Sequence, residues 1–203
     1  MRKGERRKEE LLDIAYRMFI SKGYENTSVD EIIEKAGIAK GTYYYYFKSK
    51  EQMLEEVIGM MIEKEKRSAE EVLDMPLDPI MKTMGIIRSF TPEVDEQTIE
   101  EALHSPENIV MHEKVKKRLI EEAVPLLSQV VEEGIKEGLF YCDHIPERVR
   151  VLLVVSNEIF NEETFTEGDV LVFMDMMEKM LGANPGSLSA IKSLIGGDNG
   201  TKE

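Results

Sequence analysis

The residues best suited to chemistry sit in one short run, Lys40-Gly41-Thr42-Tyr43-Tyr44-Tyr45-Tyr46-Phe47. Read as a helix at about 100° per residue, Tyr43 and Phe47 share a side and Tyr45 lies about 200° round from Tyr43. Tyr43 and Phe47 then pack inward and Tyr45 faces out. Thr42 and Tyr46 flank one side of it, Lys40 and Tyr44 the other. A short helix that shows a lysine, a glycine, a threonine and three phenols to solvent is poorly explained as a purely structural element. It does suit a DNA major groove, where hydroxyls and N–H groups bond phosphates and methyl or ring surfaces meet thymine methyls. The plainer alternative is that these tyrosines cap a core.

Other chemistry is thinly supplied. Catalysis needs a nucleophile with its base, paired carboxylates or a set of metal ligands. Three histidines, a single cysteine and no glycine-rich phosphate loop meet none of these, so the sequence reads as no enzyme, with no cofactor and no metal. His104 and His112 share a face if helical, but Pro106 interrupts them. Cys142-Asp143-His144 reads as a polar loop. A lone Cys142 excludes an intramolecular disulfide framework and a zinc ribbon.

Behind the short helix must stand elements that hold it. The chain has 203 residues, 42% hydrophobic and 33% charged, the balance of a soluble globular protein. No apolar run is long enough for a membrane span, and the charged start Met1-Arg2-Lys3-Gly4-Glu5-Arg6-Arg7-Lys8 carries no signal-peptide pattern, so a cytoplasmic protein is expected. Net charge is −14, divided as +3 over residues 1–50 and −17 over the remainder. A basic end on an acidic body fits one small region meeting an anionic partner while the rest stays off it.

Apolar periodicity is helical almost throughout, which predicts an all-α fold. Leu11, Ile14, Ala15, Met18 and Phe19 make one stripe on a helix over about 6–22, closed by Gly23. Thr27 and Ser28 can each cap the next helix, about 28–36, with Asp30 and Glu31 three residues on. Gly37-Ile38-Ala39 is a tight turn into a third helix at about 40–47, so residues 28–47 form a helix-turn-helix. Further helices are predicted at about 51–73, 80–89, 95–104, 107–137 (kinked at Pro125), 146–160, 167–181 and 187–195. The tail 196–203 is expected to be disordered.

The order Phe19, Gly23-Tyr24, Thr27-Ser28-Val29, Ile32, Ala36-Gly37-Ile38-Ala39-Lys40-Gly41-Thr42-Tyr43-Tyr44-Tyr45-Tyr46-Phe47-Lys48-Ser49-Lys50-Glu51 resembles the DNA-binding domain of the TetR family of bacterial transcriptional regulators. The resemblance covers about residues 5–65 and departs at Tyr43, where the family usually carries Leu, a change in a core contact. It implies an all-helical homodimer: a three-helix helix-turn-helix domain at 5–65 joined to a helical effector-binding and dimerisation domain at 66–195. It implies a phosphate contact for Thr27 at the start of the second helix. Ala39, Lys40, Gly41 and Thr42 would enter the groove, Tyr44, Tyr45 and Tyr46 would bind backbone phosphates, and Lys50 would bind another. Arg2, Lys3, Arg6 and Arg7 form either an arm over the minor groove or a frayed tail. The implied partners are double-stranded DNA with a palindromic operator, an unknown small-molecule effector and a second copy of the chain, with no membrane, in a bacterial cytoplasm and associated with the nucleoid. Repression relieved by the effector is the family's habit.

In the body, the helices near 146–160 and 167–181 are apolar on more than one face. The family precedent makes Leu152, Val155, Ser156, Ile159, Val170, Phe173, Met174 and Met177 the expected dimer interface, against burial in the monomer core. A pocket, where methionines adapt to irregular ligands, is expected near Met60, Met84, Phe90, His104 and Met111. The rival readings are a helix-turn-helix kept as a protein-interaction module without DNA binding, and an enzyme.

Overall fold

The computed structural model describes residues 3–91, 96–160 and 165–195. Among them are ten α-helices and no strand: α1 Lys3–Lys22, α2 Val29–Ala36, α3 Lys40–Tyr46, α4 Lys50–Leu73, α5 Pro79–Ser89, α6 Gln97–Leu103, α7 Ile109–Lys136, α8 Ile145–Phe160, α9 Glu167–Leu181 and α10 Lys192–Ile195. The fold is all-α, as the periodicity predicts. The tail 196–203 and Arg2 lie outside the described residues. Arg6 and Arg7 are helical, in α1, each paired with Glu10. Neither forms an arm, because the charges of the first turns are spent along the helix. α7 runs on across Pro125 without a break between Ile109 and Lys136.

Two compact units result. The described residues of Met1–Glu65 and Thr91–Lys117 make the first, and those of Lys66–Phe90 and Arg118–Glu203 the second. These units differ from a division at 65/66, because the described residues 96–117 are grouped with the N-terminal helices. Two hydrogen bonds show why. The Tyr16 hydroxyl donates to the Glu96 carboxylate (2.8 Å), and the Thr98 hydroxyl donates to the Phe19 carbonyl (3.0 Å). Ile99, Ala102 and Leu103 are buried alongside.

In the first unit the stripe of α1 buries Leu11, Ala15 and Phe19 completely, with Ile32 of α2, Tyr43 and Phe47 at α3, and Met53, Leu54 and Val57 of α4. Burying each Leu, Ile, Val, Met or Phe side chain among them is worth about 1.5–3 kcal/mol before conformational entropy is charged. Helix α2 is cut to length by its ends. Ser28 caps it, with its hydroxyl accepting from the Glu31 N–H and the Glu31 carboxylate accepting from the Ser28 N–H. Gly37, at φ 61°, closes it in the left-handed region that glycine enters without strain, and its N–H caps Ile33 and Glu34. That reversal sets α3 at a fixed angle to α2.

The second unit has its own core, drawn from Ala69, Ile86, Val124, Leu127, Val130 and Val149 together with Leu152, Val170, Phe173 and Met177. A capping box of Thr166 and Asp169 starts α9. At Gly134 a Cβ would stand 2.3 Å from the Phe140 ring, so glycine is required by that close approach. Arg148 ties the unit's loop down, donating to the Met180 carbonyl (2.7 Å) and the Asp143 carboxylate (2.8 Å). Buried Lys82 pairs with Glu133 at 2.7 Å. No described helix is long and apolar enough to cross a membrane.

Candidate nucleic-acid interface

Helix α3 is anchored from one side and open on the other. Tyr43 and Phe47 are fully buried. The Tyr43 hydroxyl donates to the Ser49 carbonyl at 3.4 Å, and burial pushes that phenol up to about 12. Tyr43 therefore fills the inward position with a larger ring and finds its polar end a partner. Tyr45 faces outward at 81% exposure, and Tyr44 is 47% exposed. Tyr44 sits edge-on to Tyr43 and Tyr45 edge-on to Tyr46, so each exposed ring is held by a neighbour. Tyr46 is half-buried, its hydroxyl 3.7 Å from where a Gly4 side chain would stand.

Ala39, Lys40 and Gly41 are exposed and Thr42 half-buried. Gly41 has an ordinary helical backbone, and a Cβ built on it meets nothing within 4 Å. Nothing in the chain requires glycine there. Alanine would serve the helix better by about 1 kcal/mol, so room for something outside the chain is the remaining reason. The Lys40 ammonium donates to the Asp30 carboxylate at 3.0 Å, which holds its pKa above the ordinary lysine value.

Two expected phosphate contacts are differently employed. Thr27 is 1% exposed, and its hydroxyl donates to the Gly23 carbonyl at 2.8 Å. It does not cap α2 and shows no hydroxyl to a phosphate, because its proton satisfies the backbone where α1 ends. The exposed hydroxyl at that helix start is Ser28, already shared with Glu31. Lys50 is half-buried, its ammonium 4.0 Å from the Tyr24 ring centroid and donating to the Glu25 carbonyl at 3.3 Å. A phosphate at Lys50 would have to compete with both. Lys48 is exposed, and its backbone N–H donates to Gln52.

The residues expected in a pocket do not gather in one unit. Met60, His104 and Met111 belong to the first, and Met84 and Phe90 to the second, where both pack half-buried against its core. His104 and His112 do meet, with ring centroids 4.5 Å apart, because the turn at Pro106–Asn108 brings α6 and α7 together. Among the described residues no group of three or more His, Cys, Asp or Glu is placed to hold a metal ion.

The residues expected at a dimer interface divide by burial. Leu152, Val170, Phe173, Met174 and Met177 are buried in the second unit's own core, and Val155 and Ile159 pack against it; Ser156 is half-buried and donates to the Leu153 carbonyl. The more apolar face of α8 and α9 is thus spent inside the chain. What remains exposed is Val151 and Val154 on α8 and Leu171 and Val172 on α9, at 46–69%. The sequence carried that signal, since these residues recur on the opposite faces of the same two helices.

An anchored second helix, a glycine-closed turn and a third helix with an open polar and aromatic face define a helix-turn-helix DNA-binding protein. Residues 11–57 match the family model described as bacterial regulatory proteins, tetR family. The chain is 28% identical over 141 residues, 68% of its length and 69% of the relative's, to the HTH-type transcriptional repressor KstR2 of Mycolicibacterium smegmatis. A transcriptional regulator from Cytophaga hutchinsonii shares the fold, with TM-score 0.61 at 17% identity over 92% of this chain and 95% of that one. So does RolR in complex with resorcinol, with TM-score 0.59 at 18% identity over 96% and 95%. The chain is a DNA-binding transcriptional regulator whose residues 11–57 are similar to the DNA-binding domain of the tetR family.

Proposed function

We propose that the chain works as a homodimer on a palindromic double-stranded operator, represses the adjoining promoter and leaves it when a small-molecule effector binds. Its role is then regulatory, carried out on the nucleoid in a bacterial cytoplasm, and not catalytic. The observation that carries the DNA reading is the outer face of α3, where Lys40, Tyr44 and Tyr45 surround a glycine that the chain's own packing does not call for. In this reading Ala39, Lys40, Gly41 and Thr42 lie against base edges, and Tyr44, Tyr45 and Tyr46 hold phosphates. Lys50 joins them by exchanging the Glu25 carbonyl for a phosphate oxygen. Thr27 acts indirectly, by fixing the start of α2.

Dimerisation is proposed through the exposed ridge of Val151, Val154, Leu171 and Val172. Two such readers joined by a two-fold would meet successive major grooves about 34–36 Å apart. For the effector, Met84 and Phe90 are the favoured contacts, being half-buried in one unit. Release needs only that the effector prefer the state unfit for DNA, and a coupling of about 1–3 kcal/mol changes affinity 5- to 150-fold. Helices α4 and α7 each have residues in both units and are covalent routes for that coupling.

Selection of bound sequences from a randomised duplex pool, at low and at physiological salt, tests this reading. The expected result is an inverted repeat with half-sites about one helical turn apart, bound less tightly as salt rises. Enrichment of no sequence at either salt would instead favour a helix-turn-helix used for protein contacts.

A further inference from the structure

Asp30 stands where a DNA-reading surface would not be expected to place a negative charge. It lies in the first turn of α2, is exposed, and its carboxylate accepts from the Lys40 ammonium at 3.0 Å across the helix-turn-helix. Both side chains are more than half exposed, so the pair contributes little to the fold. It also costs affinity for phosphate, since it neutralises the one lysine on α3 and sets a carboxylate beside the DNA. A feature that neither holds the fold nor helps general DNA binding calls for a role in choosing sequence.

The geometry points to a two-part base-pair reader. We infer that Asp30 and Lys40 together read the orientation of the keto and amino groups on one base pair in each half-site. This rests on the proposed seating of α3 in the major groove. The pair offers one donor, the ammonium, and one acceptor, the carboxylate, 3.0 Å apart. In the major groove a G·C pair presents the guanine O6 acceptor beside the cytosine N4 donor, and a T·A pair presents O4 beside the adenine N6 donor. In each base pair those two groups are hydrogen-bonded to one another, so they too stand about 3 Å apart. Donor meets keto oxygen and acceptor meets amino group only when the keto base lies on the Lys40 side. The reversed pairs, C·G and A·T, set ammonium against amino group and carboxylate against keto oxygen.

An ammonium has three N–H donors, so Lys40 can keep Asp30 and still donate to a base. Guanine offers N7 beside O6 as a second acceptor, which thymine lacks, and this ranks G·C above T·A. Asp30 thus has two tasks. It fixes where the Lys40 nitrogen stands, and it accepts from the amino base. Against a phosphate, the carboxylate withdraws most of the gain that Lys40 would bring, which holds down binding to unrelated sequence.

The test uses the full-length chain and duplexes carrying the selected operator, with all four base pairs placed in turn at each half-site position. Wild type is expected to prefer G·C at one position, then T·A, with the reversed pairs about 5- to 150-fold weaker. Asp30→Asn, checked by circular dichroism for unchanged helix content, should flatten that preference and bind unrelated duplex more tightly. In a Lys40→Ala background, Asp30→Asn should alter the preference at that position much less, because only the direct contact of the carboxylate with the amino base is left to lose. An Asp30→Asn variant that strengthens all sequences equally would leave Asp30 as simple repulsion and overturn the inference. An effect of the same size with and without Lys40 would do so too. If wild type binds no duplex, the seating of α3 itself fails, a result distinct from either.

Discussion

Gly41 and Thr27 are opposite cases of how a residue's type betrays its task. Gly41 is free of steric demand within the chain. Gly41→Ala should leave stability unchanged or raise it by up to about 1 kcal/mol in urea denaturation, and it should weaken operator binding tenfold or more by fluorescence anisotropy. A variant that gained stability and bound DNA normally would remove the argument for close approach at this position. Thr27 shows the reverse pattern, since its buried hydroxyl satisfies the Gly23 carbonyl. Thr27→Val should cost about 1–2 kcal/mol of stability, and under conditions where the variant is fully folded its operator affinity should stay within threefold of wild type. A direct phosphate contact would give the other result, lost affinity at full stability. Tyr45, 81% exposed, belongs with Gly41: Tyr45→Ala should leave urea stability within about 0.5 kcal/mol and reduce DNA binding.

Helix α2 carries a prediction in acid. The Lys22 ammonium, with the Ser28 N–H and hydroxyl, lowers the Glu31 carboxyl to about 2 in the folded chain, against about 4.3 when unfolded. The folded state then binds fewer protons across that interval, so the contribution of Glu31 is present above the unfolded value and disappears as pH falls toward 2. The denaturation midpoint of wild type should therefore fall more steeply between pH 4.5 and 2 than that of Glu31→Gln. Parallel curves would mean that solvent screening cancels the pairing. At this scale much was legible in the sequence: capping patterns, stripes and glycine stops place α1 to α9 to within a few residues, while the last helix is confined to Lys192–Ile195. The choice of cap was not, because Thr27 and Ser28 both offer a hydroxyl and only packing decides which turns inward. Nor was the home of the segment 91–117, since the Tyr16–Glu96 bond joins residues 80 apart and leaves no local pattern. The Asp30–Lys40 pair escaped for the same reason, with Asp30 readable only as a helix-start acid.

At the level of the molecule, the question left open by periodicity is which apolar face belongs to the chain and which to a second copy. Helices α8 and α9 are apolar on two faces, and family precedent favours the richer one for the interface, while Phe173, Met174 and Met177 are buried within the unit. Val151 and Val154 of α8 and Leu171 and Val172 of α9 lie open on two helices that pack together, and exposed apolar side chains on adjacent helices suit a contact surface. The two faces predict different losses. Val154→Glu with Leu171→Glu should fold and sediment as a monomer, because carboxylates brought together across a two-fold are desolvated and repel. Phe173→Ala should instead lose about 3–5 kcal/mol of stability by opening a cavity in the second unit. Operator binding would report the same division. Two readers on one palindrome gain about 10²–10⁴ in avidity from their linkage, so the folded monomeric variant should lose that factor on the full site and little on an isolated half-site. Sedimentation velocity with half-site and full-site titrations decides the matter. A Val154→Glu, Leu171→Glu variant that remained dimeric would move the interface elsewhere, while one that lost half-site affinity equally would show that the ridge supports the fold of the reader and not its pairing.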